Sequence, residues 1–315
     1  MNRNIVIGYV CWLLMLLMII PCTAAEEKHD FGDLHLAEQW SGDFDGMQER
    51  RVIRVLVTYN KMLYFVDQGQ HRGVNIDFFA AFAKHLSEKY KRGVLKTEFL
   101  FLPVERDQLL PALADGRGDI AAANLTITWE RKELVDFSAP LLTGVTEIII
   151  TAPGVKGINS LEDLAGKEIH LRKSSSYYQH ILKLNEKFIN KGLQPVTVIT
   201  VNEFLEDSDL LEMVNADLIP IVAVDDHKAQ FWGEIFENIS LHPEIAIHSG
   251  GEIGWAIRKD SPKLAAEIND FLKTAKKGTL LGNIVYKRYL KNNKWARNAL
   301  DKESQKRYQE VSDMF

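Results

Sequence analysis

From residue 52 onward the chain alternates short apolar runs of strand type with stretches of helical spacing. Residues 51–58 read RVIRVLVT, an apolar run that predicts a strand. In 73–90, Ile76, Phe79, Ala80, Ala83 and Leu86 fall on one helical face. Residues 95–102 predict the next strand, 107–114 a helix and 119–123 another strand. Past Pro140 the pattern restarts with the β-branched run 145–151. Strand 168–172, helix 176–190, strand 196–201, helix 204–214 and strand 218–224 follow. Residues 254–258 predict one more strand. Ser261 before Pro262 is an N-cap with proline at the first helical position, opening a helix to about Lys276.

Alternation of this kind builds an α/β fold, each part an open, mostly parallel sheet flanked by helices. The restart divides the chain into two lobes, with crossings near residues 142–148 and 246–254. Residues 50–144 plus 250–292 form lobe one in this reading, and 145–249 form lobe two. Paired crossings make a hinge, and a cleft that closes on ligand is the expected motion.

The ends read differently. Arg3, the apolar run from Ile5 to Ile20, Pro21 and the small residues Thr23, Ala24 and Ala25 make residues 1–25 a secretory signal. The run is short for the ~20 residues a membrane span needs. Cleavage after Ala24 or Ala25 implies a periplasmic protein. Residues 26–49 are an N-terminal extension and 293–315 a C-terminal helical tail. Both cysteines, Cys11 and Cys22, lie in the signal, so the remainder relies on its core rather than on disulfides. A net charge of −5 without basic clusters argues against nucleic acid as a partner. The sequence has no glycine-rich phosphate loop, H-x-x-x-H, cysteine-rich pattern or G-x-S-x-G, so neither cofactor nor metal is expected. His227 after Asp225 and Asp226 reads as a helix start rather than a metal site.

The chemistry concentrates in residues 113–140, LADGRGDIAAANLTITWERKELVDFSAP. Arg131 follows an apolar strand and has the hydroxyls of Thr126 and Thr128 beside it. A guanidinium forks onto both oxygens of a carboxylate while hydroxyls and N–H groups fill the remaining lone pairs. Ser174, Ser175 and Ser176 at a helix start combine hydroxyls with free N–H groups, an anion site or a plain cap.

This loop, with the following F-S-x-P, resembles the carboxylate-binding segment of the family 3 extracellular solute-binding proteins. The likeness extends over about residues 50–292. It implies the two-lobed type II periplasmic-binding-protein fold, with Arg131 holding a ligand carboxylate and Thr126 supporting it. Asn124 stands where the family often has glycine. An aromatic after the first strand covers the ligand in the family, which points to Tyr59 or Tyr64. The resemblance brings Ser175 and Ser176 to the carboxylate from lobe two and Asp225 to the ligand's ammonium. Arg106 replaces an aromatic platform. It implies a second anionic group on the ligand if it faces the cleft, and otherwise pairs with Glu105 or Asp107 at the helix start.

The segments LLTGVTEIIITAPG, RKSSSYY, VDDHKAQFW and KKGTLLGNIVYKRYLKNNKW look closest to the binding module of membrane-bound lytic transglycosylase F-like proteins. The lysozyme-like helices of their catalytic domain are not read in this sequence, so no transglycosylase catalytic residues are expected. The leading expectation is a non-enzymatic receptor for an amino acid or a small peptide-like, muropeptide-like ligand. It would serve an ABC transporter permease or cell-wall sensing. The alternatives are a regulatory module of a lytic transglycosylase system and a cyclohexadienyl-dehydratase-like enzyme on the same fold. For the enzyme, Glu105, Asp225 and Asp226 are the nominated acids.

Overall fold

The computed structural model describes residues 38–67, 69–91, 96–291 and 293. The expected signal 1–25 with Cys11 and Cys22, the first part of the 26–49 extension, and all of the expected tail after residue 293 lie outside the described residues.

The strands are β1 (Val52–Val57), β2 (Phe65–Asp67), β3 (Gln70–Arg72), β4 (Glu98–Pro103), β5 (Ile120–Thr126) and β6 (Asp136–Phe137). They continue with β7 (Leu142–Thr151), β8 (Glu168–Leu171), β9 (Thr197–Thr200), β10 (Ile221–Asp225) and β11 (Ser240–Ile257). The helices are α1 (Phe44–Arg50), α2 (Val74–Lys89), α3 (Leu109–Ala114), α4 (Trp129–Leu134) and α5 (Ser176–Asn190). After them come α6 (Asp207–Asn215), α7 (Asp226–Gly233), α8 (Pro262–Ala275) and α9 (Leu280–Leu290).

One sheet runs β10-β7-β11-β5-β1-β4, with β6 beside β11. In lobe one, β1 lies between β4 and β5 and is parallel to both. In lobe two, β8 and β9 pair in parallel. The long strands β7 and β11 pair antiparallel and carry the chain between the lobes, so the sheet is mixed. Near the crossing, Ala246 pairs with Ile148 and His248 with Glu147, with register shifts on either side. The sequence pattern predicts only the end of β11, at residues 254–258, whereas the strand starts at Ser240. Its first half, residues 240–248, is mostly half-buried and includes Leu241, Ile245 and Ile247, and β7 supplies its hydrogen bonds.

Aromatic packing fixes lobe one. Phe79 of α2 stacks on Trp255 of β11 at 4.3 Å, and Phe82 stacks on Phe271 of α8 at 4.8 Å. Burying each such ring is worth about 1.5–3 kcal/mol. Helix α2 starts where Gly73 adopts φ +126°, and a Cβ there would meet the Leu63 carbonyl oxygen at 2.3 Å. The α5 helix buries Tyr177, Ile181, Leu184 and Phe188 on one face, and left-handed Gly192 follows its C-terminal cap. The described part of the extension packs on lobe one. Trp40 lies 3.8 Å beneath the Arg50 guanidinium, and Asp43 accepts hydrogen bonds from the free N–H groups of Lys263 and Leu264 at the head of α8.

Candidate functional site

The facing ends of the lobes bring together side chains far apart in sequence. Lobe one contributes Thr58 and Asn60 after β1, Arg106 from a short 3-10 turn before α3, Asn124 and Thr126 at the end of β5, and Arg131 of α4. Lobe two contributes Ser174–Ser176 at the start of α5, Glu206 and Asp207 at the start of α6, Asp225 ending β10, and Lys228 in the first turn of α7.

At one end, Arg106 grips Glu206 across the cleft through Nε at 2.9 Å and NH2 at 2.6 Å, a bidentate charge-assisted pair. The same guanidinium donates to the Ala123 carbonyl at 3.1 Å and to Thr58 Oγ1 at 3.3 Å. Asn60 adds a second donor to Glu206 at 3.0 Å. Burial alone would lower the Arg106 pKa, but Glu206 outweighs it and raises the value above the ordinary range. Burial likewise pushes Glu206 up, yet Arg106 and Arg172 hold it below the usual carboxylate value. The partner of Arg106 is therefore neither Glu105 nor Asp107 but a carboxylate of the other lobe.

Arg131 meets a different environment. Thr128 caps α4 by accepting from Arg131 N–H at 3.3 Å, which places the side chain over the end of β5. Its NH1 donates to the Thr126 carbonyl at 2.8 Å, and its NH2 reaches across to the Ser174 carbonyl at 2.9 Å. Neither oxygen carries a full charge. Among the described residues no carboxylate pairs with this buried guanidinium. Burial first and the Arg106 cation second push its pKa down to about 10, so it stays cationic at neutral pH.

Beside it, Ser176 Oγ donates to Glu147 Oε1 at 2.7 Å and shares a 3.1 Å hydrogen bond with Thr126 Oγ1. Glu147 also meets His180 Nδ1 at 2.6 Å. Ser175 turns away from the cleft. Its hydroxyl donates to the Arg172 carbonyl at 2.7 Å and accepts from Tyr178 N–H at 3.1 Å, so it serves as the helix cap.

At the remaining corner, Asn124 donates to Asp225 Oδ2 at 2.8 Å from the opposite lobe. Asn124 sits at φ +53°, in the left-handed region that asparagine tolerates better than most residues. That conformation explains how it can stand at a glycine-like position. Asp225 is 1 % exposed, and Lys228 Nζ lies 2.9 Å from its Oδ2. Lys228 also reaches Asp207 Oδ2 at 2.6 Å and the Tyr177 hydroxyl at 3.2 Å, while Arg172 pairs with the other oxygen of Asp207. Burial opposes the Lys228 charge, but Asp207 and Asp225 together raise its pKa. Burial would also raise Asp207, yet Lys228 and Arg172 hold it far below the carboxylate range.

Arg131, Thr126, Asn124, Ser176, Asp225 and Arg106 thus meet at the lobe boundary. Of the two tyrosines expected at the ligand, Tyr64 is a core residue. It is 1 % exposed, stacks on Phe101 and donates to or accepts from His71 Nδ1 at 2.9 Å. Tyr59 is 62 % exposed, between cleft residues Thr58 and Asn60. The sequence reading missed Glu206, Asp207, Lys228, Arg172, Glu147 and Tyr177. A capping box of Glu206 with Asp209 was available as a local signal, but it explains Glu206 as a helix start and says nothing about Arg106.

Residues 52–292 match the bacterial extracellular solute-binding proteins, family 3. The chain is 27 % identical over 237 residues to membrane-bound lytic murein transglycosylase F of Desulfosudis oleivorans, covering 75 % of this chain and 48 % of that protein. It therefore spans about half the length of the curated relatives it first matches. It is also 25 % identical over 271 residues to the L-cystine-binding protein TcyJ of Escherichia coli, covering 85 % of this chain and 91 % of that one. Among solved structures, an ancestral arginine-binding protein bound to arginine superposes with a TM-score of 0.62 at 27 % identity. That superposition covers 76 % of this chain and 98 % of the other.

Proposed function

The chain belongs to the family 3 bacterial extracellular solute-binding proteins, and we propose that it closes its lobes on an amino acid or small peptide-like ligand held by Arg131. The observation that carries this is the state of Arg131. It is a buried cation at the lobe boundary whose two NH groups rest on neutral carbonyls, one from each lobe. A guanidinium whose hydrogen bonds go only to neutral carbonyls has no charge-assisted partner in direct contact, and a ligand carboxylate would supply one. When the lobes part, the Ser174 contact opens. A carboxylate could then take the fork, with Ser176 and Thr126 hydroxyls close by. The proteins of similar sequence and structure named for cystine and arginine support a ligand of amino-acid type.

In this reading the protein is a binding module and not an enzyme, exported to the periplasm. Among the described residues, no helix is long and apolar enough to cross a membrane. The bound ligand would pass to an ABC transporter permease or report on cell-wall fragments. A second reading, a regulatory module acting with a lytic transglycosylase, is supported by the partial match to the transglycosylase F relatives. The dehydratase-like reading has less support, because Glu105 is exposed and Asp225 is already paired with Lys228.

The test is a melting-temperature screen against amino acids, dipeptides and muropeptide fragments, in the native protein and in Arg131→Met. A ligand present at 100 times its Kd stabilises by about 2.7 kcal/mol, a shift of several degrees. Stabilisation that disappears in Arg131→Met is the expected result. A shift that the variant retains in full would overturn the assignment of Arg131.

A further inference from the structure

The nitrogen end of the cleft is already occupied by a cation of the chain itself. Asp225 Oδ2 takes both Asn124 Nδ2 and Lys228 Nζ, at 2.8 and 2.9 Å. Lys228 Nζ donates hydrogen bonds to Asp207 Oδ2 and the Tyr177 hydroxyl and forms an ion pair with Asp225 Oδ2. Asp207 in turn is shared with Arg172. Two carboxylates, Asp207 and Asp225, therefore face two cations, Lys228 and Arg172, and this buried corner is electrically balanced before any ligand arrives. Arg106 is balanced too, by Glu206. It calls for no second anion on the ligand.

One acceptor remains. Asp225 Oδ1 is buried and has no hydrogen-bond partner among the described residues. A buried acceptor of this kind needs a donor. A ligand ammonium could supply one, but it would bring a second full cation to a carboxylate that Lys228 already pairs with at 2.9 Å. An amide N–H supplies the hydrogen bond and no charge. The distance suits a single residue. Asn124, which holds Asp225, is two positions along β5 from Thr126, which holds Arg131, and two strand residues span at most about 7 Å.

We infer that Lys228 stands in for the ligand's ammonium, so that the cleft selects a carboxylate whose α-nitrogen is acylated: an Nα-acyl amino acid or the C-terminal residue of a peptide. This rests on Arg131 holding the carboxylate. Lys228 is then a specificity determinant that rejects free zwitterions.

Isothermal titration of the native protein tests it with matched pairs: L-alanine, L-leucine, L-arginine and L-cystine, each against its Nα-acetyl derivative. At least one acetylated member should bind ten-fold or more tightly than its free partner. Lys228→Met should move that ratio ten-fold or more toward the free amino acid, because Asp225 regains an unmatched charge. Lys228→Gln, which is uncharged but keeps an N–H donor, provides the same reading if the methionine variant does not fold. A free amino acid that binds the native protein as well as its acetyl form, or better, overturns the role of Lys228 and leaves the Arg131 clamp standing. Absence of binding by every probe counts against the clamp itself, and the inference falls with it.

Discussion

Two arginines of lobe one reach the same cleft and end in opposite electrostatic situations. Arg106 meets a carboxylate from the other lobe, with both Glu206 oxygens engaged. Arg131 meets only carbonyl oxygens, one from its own strand and one from the far lobe. Both are buried and both bridge the lobes, so burial and position do not separate them. The counter-charge does. Arg106 works as an internal tie that stabilises closure, while Arg131 in the proposed function waits for its anion from outside. The first should therefore show itself in stability and the second in binding.

The largest effect on stability is expected from breaking the internal tie. Arg106→Met removes the ion-pair partner of buried Glu206, leaving it Asn60 and the more distant Arg172 charge, and should lower unfolding stability by about 3 kcal/mol in a denaturant titration. The same replacement at Arg131 removes a buried charge that has no carboxylate partner. Stability of the ligand-free protein should then stay equal or rise, while ligand affinity should fall by about 2–5 kcal/mol in calorimetry. Equal stability losses for the two variants would erase the distinction.

Acid sharpens the contrast. The folded-state pKa of Glu206 lies below its ordinary value. The stabilisation it brings is thus complete above about pH 4.3, the unfolded value, and is lost as pH falls through the lower folded value. Small-angle scattering should show closed lobes from pH 5 to 8 and expansion only at stronger acidity. Expansion already near pH 6 would contradict the pair as the tie. A smaller effect belongs to the cap that aims Arg131. Thr128→Ala should cost about 1 kcal/mol of stability, with a measurable loss of affinity as the guanidinium loses its fixed position.

The unequal legibility of the two arginines has a physical basis. Thr126, Thr128 and Arg131 sit within one strand–loop–helix segment, where cap, strand end and guanidinium are set by neighbours a few residues away. That environment can be read locally. Glu206 is 100 residues from Arg106, and Lys228 acts through Asp207, 21 residues away, and Tyr177, 51 residues away. Such pairs are decided by how the lobes meet. The same holds for Asp225, whose position at a strand end was legible while its neutralisation by Lys228 was not. Tyr64 follows the opposite course: the resemblance makes it a candidate to cover the ligand, and packing against Phe101 and His71 draws it into the core. In the fold, the alternation of apolar runs marked most elements but not the first half of β11, although Leu241, Ile245 and Ile247 fall at period-two positions there.

The most direct measurement compares a carboxylate ligand with its methyl ester. From the melting screen, the best stabilising compound and its ester would be titrated into the native protein and into Arg131→Met. The account predicts tight binding of the free acid to the native protein, at least ten-fold weaker binding of the ester, and no difference between the two in the variant. Equal binding of acid and ester by the native protein would contradict it.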